Sequence, residues 1–492
     1  MVQVPRNPAS RTRPATQTPR STSEPRTSAH QTPSAHQTPS AHQTPSAHQT
    51  PRQTPSAHQT PSAHQTPGAR QAGRPTRIPE APAAETPGGP SVRINLGRVF
   101  KAEGGNYFLL LGTTLFLVIF GLVMVLSSSS VDSFLADMGF FGGLLRQGMF
   151  ALIGIPLMLV VSRLPLAFWR RVAWPSLLIT CFLQFLVVGT GLGRGTGGNT
   201  NWLNIGGIQF QPSEGIKVAL IIWLGMILSQ KQHKLDDWKH VFIPVFGVGG
   251  GAVLLVMIGG DLGTAMIMAS ILFGALFFAG VKLRLLAVPL MVGVGGAVLL
   301  AIVSPNRLTR IMSFLNEGCT ELSGEISASC WQPLHGTWAL ANGGVLGVGL
   351  GNSKAKWSWL PAADNDYIFA IIGEELGLIG CVVVLGMFIL LAFAFLRIMR
   401  TATTVQAKVS TAAVMVWIIG QALVNIGVVL GVFPVLGVPL PLISAGGTAL
   451  LTTLVAIGIV LSFARGDRSS EPQSDFHQND FRDTDRVEAD RS

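Results

Sequence analysis

The residues best suited to chemistry lie in the stretch WLPAADNDYIFAIIGEELG, from Trp359 to Gly377. It sets two carboxylates, Asp364 and Asp366, immediately before a long apolar run that begins at Tyr367. Two more, Glu374 and Glu375, fall inside that run. If the run crosses a membrane, the aspartates stand where water gives way to hydrocarbon. Ionisable groups at such depths are costly and face a cavity or a partner, which makes them a candidate functional site. Plain capping of the helix N-terminus by Asp364 and Asp366 is the competing reading.

Other polar groups mark the edges of apolar runs. Asn201-Trp202-Leu203-Asn204-Ile205-Gly206-Gly207 leads into Gln211-Pro212-Ser213-Glu214-Gly215-Ile216-Lys217. Pro212 fits the first turn of a helix, where its missing N–H costs nothing. Glu214 and Lys217 then share a helix face at i, i+3 and can pair, either as a structural salt bridge or as part of a substrate site. Gly259-Gly260-Asp261-Leu262-Gly263-Thr264 reads as a tight turn between two runs. VLGVPLPLISAGGT, Val435 to Thr448, is too rich in Pro and Gly for a regular helix. It reads as a broken or re-entrant segment carrying Ser444, a form tolerated only where protein buries it or it lines a cavity. GGVLGVGLGNSK, Gly343 to Lys354, has a superficial likeness to a phosphate loop. It lacks the G-K-[ST] ending and a preceding strand, so nucleotide binding is rejected.

The elements that must position these groups are membrane helices. The chain is 48% hydrophobic and 12% charged over 492 residues, although its first hundred residues are polar. About ten runs have the length of a bilayer span. They cover 107–127, 146–164, 173–190, 213–230, 241–259, 264–281, 285–303, 367–396, 409–433 and 447–465. The predicted fold is therefore an all-α polytopic membrane protein, with a large extracytoplasmic loop at 304–366 between the seventh and eighth spans. Arg163, Arg170, Arg171, Lys231, Lys234, Lys239, Lys282, Arg284, Arg397, Arg400, Lys408, Arg465 and Arg468 gather in loops of one side. The positive-inside rule places that side, and both termini, in the cytoplasm. The opposite loops are poorer in Lys and Arg, apart from Arg307, Arg310, Lys354 and Lys356 in the longest. The net charge of +10 follows from this loop and tail distribution, which argues against nucleic acid as a partner. Arg93, Arg98 and Lys101 suit an anionic leaflet of membrane lipids.

Three regions follow: a tail at 1–100, a membrane domain at 101–466 and a tail at 467–492. The first tail repeats TPSAHQ and cannot bury enough surface to fold. Its histidines lack accompanying Cys or carboxylates, so a solvated linker is favoured over a metal site. The last tail alternates acids and bases and reads as disordered. No cleavable signal peptide is visible in the polar N-terminus. Cys181 and Cys381 fall in apolar runs as packing residues, while Cys319 and Cys330 share the external loop and can close a disulfide in an oxidising compartment.

NWLNIGGIQFQPSEGIK, GGDLGTA, ANGGVLGVGLGNSKAKWSWLPAADNDYIFAIIGEELGLIG and NIGVVLGVFPVLGVPLPLISAGGTALL occur here in that order. These segments resemble the SEDS family of bacterial shape, elongation, division and sporulation proteins, over residues 107 to 465. GLVMVLSSSSVDSF resembles the division branch more than the elongation branch. The resemblance implies a peptidoglycan glycosyltransferase that polymerises lipid II at the outer face of the cytoplasmic membrane, at the division septum, releasing undecaprenyl diphosphate. It carries the family's essential aspartate onto Asp366, and its paired glutamate and lysine onto Glu214 and Lys217. Departures from the family pattern fall at Ala362, Asp364, Asn365, Ala445 and Asn201 and leave Asp366 untouched. The implied partners are lipid II, the nascent glycan strand, a single-span class B penicillin-binding protein transpeptidase and other division proteins.

In the chemistry so implied, Asp366 takes the proton of an acceptor sugar hydroxyl. Lys217, Arg310, Lys354 or a divalent cation (Mg or Mn) offsets the departing diphosphate. No cofactor is otherwise expected. Gln211, Ser213, Trp202, Asp261, Asp364 and Ser444 are further candidates for support or substrate contact. A lipid II flippase and a non-catalytic scaffold of the division machinery are the alternatives; outward clustering of the polar groups favours surface chemistry over transport.

Overall fold

A backbone that enters hydrocarbon must satisfy its own amides and carbonyls, and a helix does so within one segment. The computed structural model describes residues 104–466, apart from 191–192, 197–198, 206–207, 236, 304 and 316–327. Both tails, with the TPSAHQ repeats, and Cys319 lie outside the described residues. Cys330 is disulfide-bonded, and Cys181 and Cys381 are free thiols.

The first three helices are α1 (Gly105–Leu135), α2 (Gly142–Val161) and α3 (Leu166–Gly189). After a small sheet come α4 (Pro212–Gln230), α5 (Trp238–Pro244), a π-helical turn at Val245–Gly249, α6 (Gly250–Ile258), α7 (Leu262–Ala279), α8 (Leu283–Val303) and the short α9 (Pro305–Leu315). The last four are α10 (Ala328–Gly343), α11 (Ile368–Thr401), α12 (Val405–Val429) and α13 (Gly447–Gly466). Among the described residues nine spans are long and apolar enough to cross a membrane, α5 to α6 counting as one. The seventh expected span corresponds to α8, in which the apolar helix Leu283–Gly296 is shorter. The first span outruns its expected end. Its serines are accommodated inside the helix, Ser129 Oγ donating to Val125 O at 2.6 Å and Ser130 Oγ to Ser127 O at 3.0 Å.

One element departs from an all-helical reading. Between α3 and α4, strands β1 (Gly193–Thr196), β2 (Asn199–Ile205) and β3 (Ile208–Phe210) form an antiparallel sheet in the order β1-β2-β3. Its register pairs Gly193 with Leu203 and Leu203 with Phe210. The buried Asn201 ties the sheet to α3, accepting from Gln184 Nε2 at 2.9 Å.

The interior is organised around α4 and α12, both largely buried. α4 packs on α3, α7 and α12; α2 packs on α13; α11 packs on α1, α10 and α12. Two stretches leave helical geometry beside them. The segment between α12 and α13 is irregular, as its Pro and Gly content implies, and it lies on the backbone of α1. A Cβ on Gly121 would stand 2.7 Å from Leu442 O. The second break is inside α11, at Gly377 (φ 67°, ψ −165°). There the carbonyls of Glu374 and Glu375 accept from Val348 N at 2.9 Å and Gly349 N at 3.0 Å. In return, Leu378 N donates to Gly344 O at 2.9 Å. The glycine-rich stretch that looks like a phosphate loop thus pairs with a break in a membrane helix.

Gly377 occupies a backbone region that is essentially closed to other residues, and a Cβ there would collide with Gly347 N and Val345 O. Gly377→Ala is expected to destabilise the protein by at least ~2 kcal/mol. A clear fall in the thermal midpoint of the purified protein in detergent would show it; an unchanged midpoint would contradict the described break.

Candidate active site

Asp364 and Asp366 sit in the turn that precedes α11. Tyr367, not either aspartate, holds the N-cap position, and no side chain caps the helix. Capping therefore does not account for the two carboxylates. Their backbone is instead tied down in three consecutive places. Asp364 O accepts from Ala445 N at 2.9 Å, Asn365 O from Ser444 Oγ at 2.7 Å, and Asp366 O from Asn425 Nδ2 at 2.8 Å. The same Asn425 amide reaches Val438 O at 2.7 Å, and Ser444 Oγ accepts from Leu440 N at 2.8 Å. From α2, the Gln147 side chain donates to Ser444 O at 3.0 Å and accepts from Gly446 N at 3.1 Å. The broken segment before α13 is thereby the cradle of the Asp366 turn.

Charge accumulates above this cradle. Asp366 is half-buried. Burial and then the adjacent Asp364 push its carboxyl up to about 6, with a smaller push from Asp261, while Arg310 draws it down. Asp364 is raised chiefly by burial and also by Asp132, and is eased by Arg146. The Tyr367 phenol is raised by burial and by the Asp366 charge. Asp261 N-caps α7, accepting from Thr264 N at 2.9 Å, and its other oxygen accepts from Gln211 Nε2 at 3.0 Å. Arg146 Nη2 donates to Gln209 Oε1 at 3.4 Å. The N-termini of α2, α7 and α11 and the strand β3 thus share one electrostatic neighbourhood.

Of the candidates read from the sequence, Asp366, Asp364, Asp261, Arg310, Ser444 and Gln211 come together here. Glu214 and Lys217 do not join them as open groups. Both are buried and paired, Lys217 Nζ lying 2.7 Å from Glu214 Oε1. Lys217 also reaches Gln421 Oε1 at 3.4 Å and sits 4.6 Å from the centre of the Trp417 ring. Thr452 Oγ1 donates to Glu214 Oε2 at 3.3 Å. The pair is locked between α4, α12 and α13, and Gln421 passes the connection on to Pro439 O at 2.8 Å. Ser213 is buried at the start of α4, Trp202 is half-buried in β2, and the Lys354 side chain is exposed.

Sequence reasoning passed over Asp132, Arg146, Gln147 and Asn425. A charge at the end of an apolar run was a usable signal for Asp132 and Arg146. Nothing local distinguishes Gln147 or Asn425, whose partners lie 299 and 59 residues away. Among the described residues no group of three or more His, Cys, Asp or Glu is placed to hold a metal ion.

Comparison with known proteins places this architecture. Residues 107–469 match the family model FTSW_RODA_SPOVE, described as cell cycle protein. The probable peptidoglycan glycosyltransferase FtsW of Mycobacterium tuberculosis is 36% identical over 382 residues, covering 78% of this chain and 72% of the relative. Stage V sporulation protein E of Bacillus subtilis is 35% identical over 364 residues, 73% of this chain and 97% of the relative. Among solved structures, a chain of a peptidoglycan synthase complex that coordinates polymerization and crosslinking is similar at a TM-score of 0.59. It is 23% identical, covering 73% of this chain and 97% of its own. The rod shape determining protein RodA of Thermus thermophilus is similar at 0.54, with 23% identity and the same coverages. The match spans the whole described helical region, and this chain belongs to the FtsW/RodA/SpoVE family of cell cycle proteins.

Proposed function

We propose that this protein is a peptidoglycan glycosyltransferase that polymerises lipid II into glycan strands at the outer face of the cytoplasmic membrane. The observation that carries the reading is Asp366: a half-buried carboxyl raised to about 6, beside Arg310, on a backbone held at three successive carbonyls. Such a group is ionised at neutral pH yet retains appetite for a proton, as a general base requires. The names of the FtsW relatives support the same activity.

In the proposed reaction the acceptor sugar hydroxyl loses its proton to Asp366. Its oxygen attacks the anomeric carbon of the donor, and the bond to the lipid diphosphate breaks with the electron pair going to the diphosphate oxygen. Arg310 is the cation best placed to offset that charge, since it already acts on Asp366 and Tyr367. Arg146, acting on Asp364, is the second. Lys217 has its charge engaged by Glu214, which removes it from this role. No step is routed through a metal.

The multi-pass helical bundle needs a membrane, and the distribution of Lys and Arg supports cytoplasmic termini and an external 304–366 loop. The division-type relatives support action at the septum. The synthase complex of the structural neighbour supports a crosslinking partner, which we assign as a single-span class B penicillin-binding protein.

Two outcomes test this reading. Purified protein in detergent, where there is no second leaflet to flip to, is expected to polymerise labelled lipid II, with or without the transpeptidase as required. Asp366→Asn should lower the rate by about 10²-fold or more. Because the folded carboxyl is raised above its ordinary value, its ionisation costs stability as pH rises through about 6, so the Asn variant should be at least as heat-stable at pH 7.5. Near-normal polymerisation by Asp366→Asn would remove the base assignment. No polymerisation in detergent, with translocation of labelled lipid II by the same protein in vesicles, would favour a flippase.

The pH dependence follows from the same group. The active base is the ionised form, so the rate should climb with pH through an acid midpoint close to 6 and fall about tenfold from pH 7 to pH 5. A flat profile across that range would contradict the assignment.

A further inference from the structure

A second set of charged groups lies outside the chemistry just described. Glu374 and Glu375 of α11 are each 1% exposed, and Lys356 is 5% exposed. Glu375 Oε1 lies 3.4 Å from Lys356 Nζ. Ser127 Oγ of α1 donates to Glu375, 2.6 and 2.7 Å from its two oxygens, and Ser353 N reaches Oε1 at 3.4 Å. Glu374 accepts from Asn342 Nδ2 of α10 at 2.9 Å, Lys354 N at 3.1 Å and Ala355 N at 3.2 Å. It also accepts from Ser353 Oγ, and Lys356 Nζ completes its own set on Gly351 O at 2.6 Å. Two carboxylates, one ammonium and the amides of one turn thus form a buried knot between α1, α10, α11 and residues 351–356.

The knot is the far anchor of the segment that ends in Asp366. Starting from residues 353–356, the chain is pinned next by α10. Trp331 Nε1 donates to Trp359 O at 2.9 Å and Gln332 Nε2 to Pro361 O at 3.0 Å. It is then fixed at the three carbonyls of 364–366 and enters α11, whose second and third turns return to the knot as Glu374 and Glu375. Residues 353 to 375 therefore form a loop closed upon itself. Asp366 stands on that loop, and buried charge closes it. Burying two acids against one base is expensive, and breaking one member of such a set leaves the others uncompensated. A fully hydrogen-bonded charge network gives a single geometry where an apolar contact would tolerate several.

We propose that Glu374, Glu375 and Lys356 are positioning residues for Asp366. They fix the 353–366 segment so that the Asp366 carboxyl keeps its place relative to Asp364 and Arg310. This rests on the reading of Asp366 as the base. The expected signature of a loosened knot is a fall in turnover with little change in substrate affinity, together with a displaced acid midpoint, since the midpoint is set by distances to Asp364, Asp261 and Arg310.

The test uses the full-length protein with its partner transpeptidase, labelled lipid II, and the double variant Glu375→Gln/Lys356→Met, which removes that ion pair as a unit and leaves Glu374 on its own hydrogen bonds from Asn342, Ser353, Lys354 and Ala355. Amide hydrogen exchange across residues 357–366 is expected to quicken about tenfold. kcat should drop about tenfold with KM within about twofold, and the acid midpoint should move. Ser127→Ala, which deletes one hydrogen bond and no charge, should shift the same quantities in the same direction by about two- to fivefold and serves if the double variant fails to fold. Faster exchange with kcat and acid midpoint at parental values would overturn the proposal, as would unchanged exchange. Asp366→Asn run in parallel separates the two claims. Normal polymerisation by that variant defeats the base reading, while the exchange result still judges whether the knot holds the segment.

Discussion

Backbone that leaves helical geometry inside a membrane protein has no water to fall back on, and each freed amide or carbonyl must find a partner within the fold. The region around the Asp366 turn is arranged around that constraint. At Gly377 the carbonyls of Glu374 and Glu375 are taken up by Val348 and Gly349, and the glycine-rich stretch before them is held in exchange. Between α12 and α13 the irregular chain is satisfied by Asn425, Gln421 and Gln147 side chains reaching in from neighbouring helices. The Asp366 turn is bound to the second of these stretches through Ala445 and Ser444, and α11 carries it into the first.

The buried charges divide according to the same logic. Glu214 with Lys217, and Glu374 and Glu375 with Lys356, are paired, hydrogen-bonded and enclosed. They satisfy the condition under which ions persist in a protein interior. The carboxylates at the bundle mouth differ. Asp364 and Asp366 stand next to each other, with Asp261 and Asp132 nearby, and both are raised. A local conflict of this kind, held in place by well-satisfied surroundings, is what functional sites display.

Much of this was legible in the sequence because the governing signals are local. Span length and hydropathy give the helices, the Pro and Gly content of 435–448 gives the broken segment, and i, i+3 spacing gives the Glu214–Lys217 pair. The turn before Tyr367 announces its carboxylates directly. What was not legible depends on long-range partners. Ser127 and Glu375 are separated by 248 residues, and no local pattern links a serine in one apolar run to a glutamate in another. The sheet at 193–210 was hidden for a different reason: its strands are short and rich in Gly and Asn, which gives weak β propensity. Glu214 and Lys217 show the opposite limit. Their pairing was readable from spacing, yet whether they face substrate or brace a helix depends on Trp417, Gln421 and Thr452, which only the packing brings near.

The central claim is that the segment from Lys354 to Asp366 faces the side of the membrane away from the cytoplasm, where a lipid-linked sugar can reach it. Trp357 is 63% exposed on that segment and offers a direct probe. A Trp357→Cys variant, treated in intact cells with a membrane-impermeant maleimide and compared with the parent chain, should be labelled without lysis. Labelling only after the membrane is opened would place Asp366 on the wrong side of the bilayer for the proposed chemistry.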